Sequence, residues 1–182
     1  VLGSTSFSRW AYACSKAIDE FLGLAYHQEY GLPVVIGRFF NTIGSRQTGK
    51  YGMVVPRFVE AALNGRALEV FGTGEQTRCF CYVGDLVEAL VMLMASDTAV
   101  GRAYNIGSDE EISISALADR IIEMTTSRSG KTFIPYDVAY GRPIEDMMRR
   151  VPGLSRIRRA VGWRPRTSLE DTLALIIEDK RR

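Results

Sequence analysis

The sequence predicts an α/β layered fold, because short runs of β-branched and aromatic residues alternate with apolar residues at helical spacing along most of the chain. A hydrophobic content of 46% over 182 residues is enough to bury one core, as a single domain or as part of a larger one. No internal repeat or low-complexity segment interrupts the alternation.

Ile18, Phe21, Leu22 and Ala25 recur at helical spacing and predict an amphipathic helix over about residues 11–29, ended near Gly31 and Pro33. PVVIGRFF reads as a buried strand. VPRFVEAALNG reads as a helix with Pro56 in its first turn and Gly65 just past its end. ALEVFGTGEQTRCFCYV predicts two short strands around a glycine-rich hairpin turn. Asp85 and Glu88 have capping-box spacing for a helix over DLVEALVMLM. RAYNIG is a further strand, SISALADRIIEMT a helix and KTFIPY a strand. Two helices close the chain, at about 154–161 and, behind a Ser168 to Asp171 cap, 168–179.

A net charge of +2 gives no broad electrostatic drive toward nucleic acid or a membrane surface. The arginine-rich stretch 142–166 would bind polynucleotide with steep salt dependence, but acidic residues elsewhere balance it. No apolar stretch is long enough to cross a bilayer, and the three cysteines form no disulfide framework, so a soluble, cytoplasmic, reducing setting is expected. No metal-ligand cluster is present, and His27, the only histidine, is expected to be solvated.

Tyr12 and Lys16, four apart, share one face of the first helix, well round from the Ile18 to Ala25 stripe. An ammonium near a phenol favours the phenolate and makes a base able to take a proton from a sugar hydroxyl. Taken alone, the spacing fits an exposed helix face equally well. The surroundings decide. The run YACSKAIDEFLGLAYHQEYGLPVVIGRFFNTIGSRQTGKYGMVVPRFVEAAL resembles the middle of the nucleotide-sugar branch of the extended short-chain dehydrogenase/reductase family, which contains sugar epimerases, dehydratases and decarboxylases. The likeness continues through LEVFGTGEQTRCFCYVGDLVEAL, AYNIGSDEEISISALA, YGRPIEDMMRRVP and GWRPRTSLED, in the family's order.

The resemblance implies the C-terminal part of a Rossmann-like extended short-chain dehydrogenase/reductase with its substrate-binding region. Residues 1–50 would end the Rossmann-like part with the Tyr-Lys helix, and 51–182 would mostly bind the nucleotide sugar. It implies Tyr12 as catalytic base, with Lys16 as its electrostatic partner and a ligand of the nicotinamide ribose, and Phe39 beside the nicotinamide of NAD. Asn41 would bond the substrate diphosphate, and Val54 and Phe71 would line the base pocket, although each of these two reads alone as core. Arg78 and Arg142 would clamp the diphosphate, a role that suits a forked, permanent charge. Glu145, or Asp146 in its place, would contact the nucleotide ribose. Arg149, Arg150, Arg156, Arg158 and Arg159 read as solvated.

The implied reaction is an NAD-dependent epimerisation passing through a keto-sugar, with a UDP-sugar 4-epimerase favoured because no added carboxylate stands beside the tyrosine. A 4,6-dehydratase, a UDP-glucuronate decarboxylase and a non-catalytic nucleotide-sugar-binding module are the alternatives. A homodimer through the Tyr-Lys helix is expected, with Ala13, Ala17, Glu20 and Leu24 as its contact stripe.

The departures matter too. The family's glycine-rich pyrophosphate loop has no counterpart here, because GTG at 72–74 leads into a strand and not into a helix N-terminus. The serine or threonine that completes the catalytic set is not identifiable among Ser4, Thr5 and Ser6. Ser45 and Gly153 replace the family's usual proline and aspartate. The chain is therefore expected to be inactive alone.

Overall fold

The computed structural model describes residues 3–6, 9–49, 53–141 and 147–182. Helix α1 (Arg9–Tyr30) leads into β1 (Val35–Phe39), β2 (Thr42–Ile43), α2 (Val54–Leu63), β3 (Leu68–Phe71), β4 (Thr77–Cys79), β5 (Cys81–Tyr82) and α3 (Val83–Met94). A 3-10 turn at Asp97–Ala99 precedes β6 (Arg102–Ile106), β7 (Glu111–Ser113), α4 (Ile114–Thr125), β8 (Lys131–Ile134), α5 (Tyr136–Tyr140), β9 (Arg149–Arg150), α6 (Ser155–Val161) and α7 (Leu169–Arg181).

The pairing is mostly parallel, as helices between strands require. β1 pairs with β6, from Val35 on Arg102 to Phe39 on Ile106. β2 pairs with β5, and β3 with β8. β4 is the centre of a mixed sheet, antiparallel to β7 and parallel to β9. β3 and β4 therefore do not form the expected hairpin. The turn between them is real, with Gly72 and Gly74 at φ 70° and 76°, but it carries the chain from one sheet to another. Gly72 is obligatory on space as well, since a Cβ there would lie 2.4 Å from the Tyr136 ring.

Two apolar cores result. Val55, Phe58 and Val59 of α2, Leu117 and Ile121 of α4, and Leu173 and Ile176 of α7 enclose Leu68 and Val70 of β3. Leu86, Ala89 and Leu93 of α3 pack with Tyr104 and Ile106 of β6, Ile157 of α6 and Trp163. Ser113 and Ser168 cap α4 and α7 by accepting from the backbone N–H groups of Ala116 and Asp171 at 3.1 and 3.0 Å.

Several expectations change. Ile18, Phe21 and Leu22 are 58%, 75% and 54% exposed, so the stripe that looked like core is the outer face of α1. Ala13, Ala17, Glu20 and Leu24, expected at a dimer contact, are the partly buried face turned to the chain's own strand. There Glu20 grips Arg38 of β1, and a Cβ added to Gly23 would lie 3.4 Å from the Val34 side chain. The small residues serve close helix-on-strand packing. His27 is partly buried, with Nδ1 donating to the Leu32 carbonyl at 2.6 Å, and is not solvated.

Asp85 does not cap α3, whose N-cap is Tyr82 without a side-chain bond. Its buried carboxylate instead accepts from the backbone N–H groups of Arg166 and Thr167, both at 2.8 Å, and from the Thr167 hydroxyl at 3.0 Å. The arginines expected in solvent are fasteners: Arg149 grips Glu111, Arg158 bonds Asp109, Arg156 and Arg159 bond the Ala103 and Ser155 carbonyls, and Arg150 lies over the Phe40 ring.

Burial pushes the Cys79 thiol up to about 11 and the Cys81 thiol up to about 12. Both therefore stay protonated near neutrality, and only Cys14 is exposed. Alkylation of the native protein at pH 8 is expected to label Cys14 quickly and the other two only on unfolding; three fast equivalents would contradict the packing. Among the described residues, no helix is long and apolar enough to cross a membrane.

Candidate functional site

The residues singled out in the sequence fall into two groups. Tyr12 and Lys16 lie on an exposed edge of α1, with Tyr12 72% exposed. Lys16 Nζ donates to Asp19 Oδ2 at 2.6 Å, and this bond leads the causes that hold the ammonium above its usual range, with the Tyr12 phenol the least of them. The helix is fastened by Arg38, whose Nε donates to Glu20 at 2.7 Å as one arm of a two-pronged bond. That bond keeps the Glu20 carboxyl below its ordinary range. Phe39, the next residue, is half exposed at the carboxyl end of β1.

The second group surrounds a cavity of about 240 Å³, lined by Asn41, Val54, Phe71 and Arg78 among others. Four elements supply them. Asn41 follows β1 at φ 32°, a backbone setting that asparagine tolerates better than most residues. Its Nδ2 donates to the Cys79 carbonyl at 2.8 Å, which ties the end of β1 to β4. Val54 opens α2. Arg78 Nη1 donates to the carbonyls of Thr77 and Met147 at 2.8 Å, which fixes a partly buried guanidinium on the wall. Arg142, Glu145 and Asp146 lie outside the described residues.

The cavity contains residues that the sequence reading missed. The Arg57 guanidinium lies 4.6 Å over the Phe71 ring and bonds Glu69 at 2.8 Å. Tyr140 meets Phe71 edge-on at 5.6 Å and stacks with Tyr136 at 6.2 Å. Gln76, buried, donates to the Phe71 carbonyl at 2.9 Å and closes the glycine turn. The four-residue spacing of Tyr136 and Tyr140 behind Pro135 was a usable signal for α5. Nothing local marked Arg57, Gln76, Thr42 or Gln47 as cavity residues. Among the described residues, no group of three or more His, Cys, Asp or Glu is placed to hold a metal ion.

A model of the GDP-mannose 4,6 dehydratase family matches residues 4–176. The chain belongs to the GDP-mannose 4,6 dehydratase family. Among curated relatives of this family member, a UDP-N-acetyl-alpha-D-glucosaminuronate decarboxylase from Bacillus cytotoxicus is 40% identical over 97% of the chain and 54% of its own length. UDP-glucuronic acid decarboxylase 6 of Arabidopsis thaliana is 36% identical over 95% and 48%. The solved UDP-glucose 4-epimerase of Thermotoga maritima, with UDP-glucose, superposes at a TM-score of 0.84 with 28% identity, covering 93% of this chain and 53% of that one. A UDP-glucuronic acid 4-epimerase from Bacillus cereus, in complex with UDP-glucuronic acid and NAD, gives 0.83 with 26% identity over 93% and 52%.

The GDP-mannose 4,6 dehydratase family member thus spans about half the length of the curated relatives it matches. Its α/β fold corresponds to the C-terminal part of Rossmann-like extended short-chain dehydrogenases/reductases that act on nucleotide sugars, as the sequence implied.

Proposed function

We propose that this chain is the substrate-binding part of an NAD-dependent nucleotide-sugar enzyme that takes a UDP-sugar. The carrying observation is the convergence of Asn41, Val54, Phe71 and Arg78, from separate elements, on one cavity. Phe71 and its tyrosine neighbours offer a flat apolar wall for a base, and the Arg78 guanidinium offers charge for a diphosphate. At about 240 Å³ the cavity is a little below the ~300–1,000 Å³ of typical ligand clefts, room for part of a nucleotide sugar. In this reading residues 51–182 mostly serve the nucleotide sugar, with Arg142 and Glu145 on the diphosphate and ribose, and residues 1–50 carry the chemistry.

The exposed phenol of Tyr12, ammonium of Lys16 and ring of Phe39 suit a dinucleotide: two polar groups for ribose hydroxyls and one apolar face for a nicotinamide. Phe39 also ends a parallel strand, the side where such folds take ligands. NAD, when bound, supplies the acceptor and donor of hydride. Tyr12 takes the proton of the hydroxyl being oxidised, and Lys16 favours its phenolate.

The epimerase reading passes through a keto-sugar that returns with inverted C4. A UDP-glucuronate decarboxylase is a second reading, favoured by the 40% and 36% identical curated relatives. Calorimetric titration of the chain with UDP tests the site; no heat from a folded chain would refute it. UDP-glucuronate given to the NAD-loaded enzyme then separates the chemistries. Release of carbon dioxide supports decarboxylation, a C4 epimer without it supports epimerisation, and neither, with UDP bound, leaves a binding module.

The protein in this reading is cytoplasmic, supported by its three free cysteines, and dimerises through α1. The outer face, with Ile18, Phe21 and Leu22, replaces the inward stripe as the contact. Phe21→Glu with Leu22→Glu is expected to give monomers on a sizing column, and an unchanged elution would rule this interface out.

A further inference from the structure

Among the described residues, the buried side-chain polar atoms without a hydrogen-bond partner are Thr42 Oγ1, Gln47 Oε1 and Tyr104 Oη. Two of the three belong to residues that line the cavity, while Tyr104 sits in the core under α3. The Gln47 amide is oriented by its own bond, with Nε2 donating to the Thr42 carbonyl at 3.1 Å; turning it over would set oxygen against oxygen. Oε1 is thereby fixed as an acceptor facing no donor. Beside it in the sequence stretch NTIGSRQ, the Thr42 hydroxyl offers a proton and lone pairs that nothing in the chain uses.

Leaving a buried acceptor and a buried hydroxyl unpaired costs the folded chain free energy, so their meeting in one cavity needs a reason. A phosphate supplies no proton to Gln47 near neutrality. A sugar hydroxyl supplies a proton for Oε1 and lone pairs for the Thr42 O–H. The aromatic wall for a base lies on other elements, at Phe71, Tyr136 and Tyr140, whereas Thr42 and Gln47 flank the chain just past Asn41. We propose that Thr42 and Gln47 are the hydroxyl-reading end of the cavity and hold a hydroxyl of the hexose. This rests on the nucleotide-sugar reading and deepens it, since it makes these residues responsible for preferring the sugar-bearing ligand over the bare nucleotide.

The test is calorimetric titration with UDP and with UDP-glucose, beside a thermal melt, for the parent chain, Thr42→Val and Gln47→Met. The parent is expected to bind UDP-glucose more tightly than UDP. Each variant is expected to lose about tenfold for UDP-glucose and nothing for UDP, as removal of one well-made hydrogen bond predicts. Thr42→Val keeps the shape and removes an unpaired hydroxyl, so its melting temperature should not fall. A lower melt for Thr42→Val would indicate a structural role and overturn the proposal. Unchanged UDP-glucose affinity would overturn it while leaving the nucleotide site intact. An equal loss for UDP would move the contact to the nucleoside and refute the hexose assignment. A parent chain that binds neither ligand would refute the nucleotide-sugar reading, and this proposal with it.

Discussion

Asp85→Ala is expected to destabilise the protein by about 3–4 kcal/mol, measured as the shift in urea unfolding followed by circular dichroism. The side chain is small, so lost apolar burial is not the cause. Its carboxylate is only 7% exposed and receives two backbone N–H groups and one hydroxyl from Arg166 and Thr167. Truncation leaves those donors without an acceptor in a space closed to solvent, and each orphan costs about 1–3 kcal/mol. Against a total stability of about 5–15 kcal/mol, the loss should lower the melting temperature by roughly 6–12 °C. Asp85→Asn keeps one acceptor but turns an amide toward the same donors, and should fall between. A loss below about 1 kcal/mol would show that water replaces the carboxylate.

Arg78→Ala is expected to weaken UDP binding by about thirtyfold, the scale of one or two charge-assisted hydrogen bonds. The guanidinium is held in place by the Thr77 and Met147 carbonyls, so little entropy is spent ordering it on binding. Arg78→Lys retains the charge without the fork and should recover only part of the loss. Calorimetry decides, with the salt dependence of binding as a second reading: a diphosphate contact should make the parent more salt-sensitive than Arg78→Ala. Equal affinities in parent and variant would remove Arg78 from the site.

The elements with strong periodicity or caps were legible in the sequence. α4 and α7 begin where Ser113 and Ser168 announce them, and β1, β6 and β8 fall on the β-branched runs. The two-residue strands β2 and β9 were not legible, because pairs this short are made by their partners and carry no pattern of their own. The facing of α1 was misread for a physical reason. Large apolar residues normally point inward, but here alanines and a glycine are what allow the helix to approach β1, leaving Ile18, Phe21 and Leu22 outside. Asp85 fooled the capping rule because an acid in the first turn serves a distant backbone as readily as its own helix. Of the site, Asn41, Val54, Phe71 and Arg78 were legible through resemblance alone, and Arg57, Gln47 and Tyr136 only through the geometry that gathers them.

The two apolar cores have a common wall-builder. Residues 154–163 place Leu154, Ile157 and Trp163 in the core under α3, and residues 169–177 place Leu169, Leu173 and Ile176 in the core over β3. The bend between these stretches is the one gripped by Asp85. Neither core can therefore melt and leave the other complete, and the end of the chain acts as a tie that makes unfolding cooperative: one sharp transition for the whole assembly of small sheets, instead of one for each.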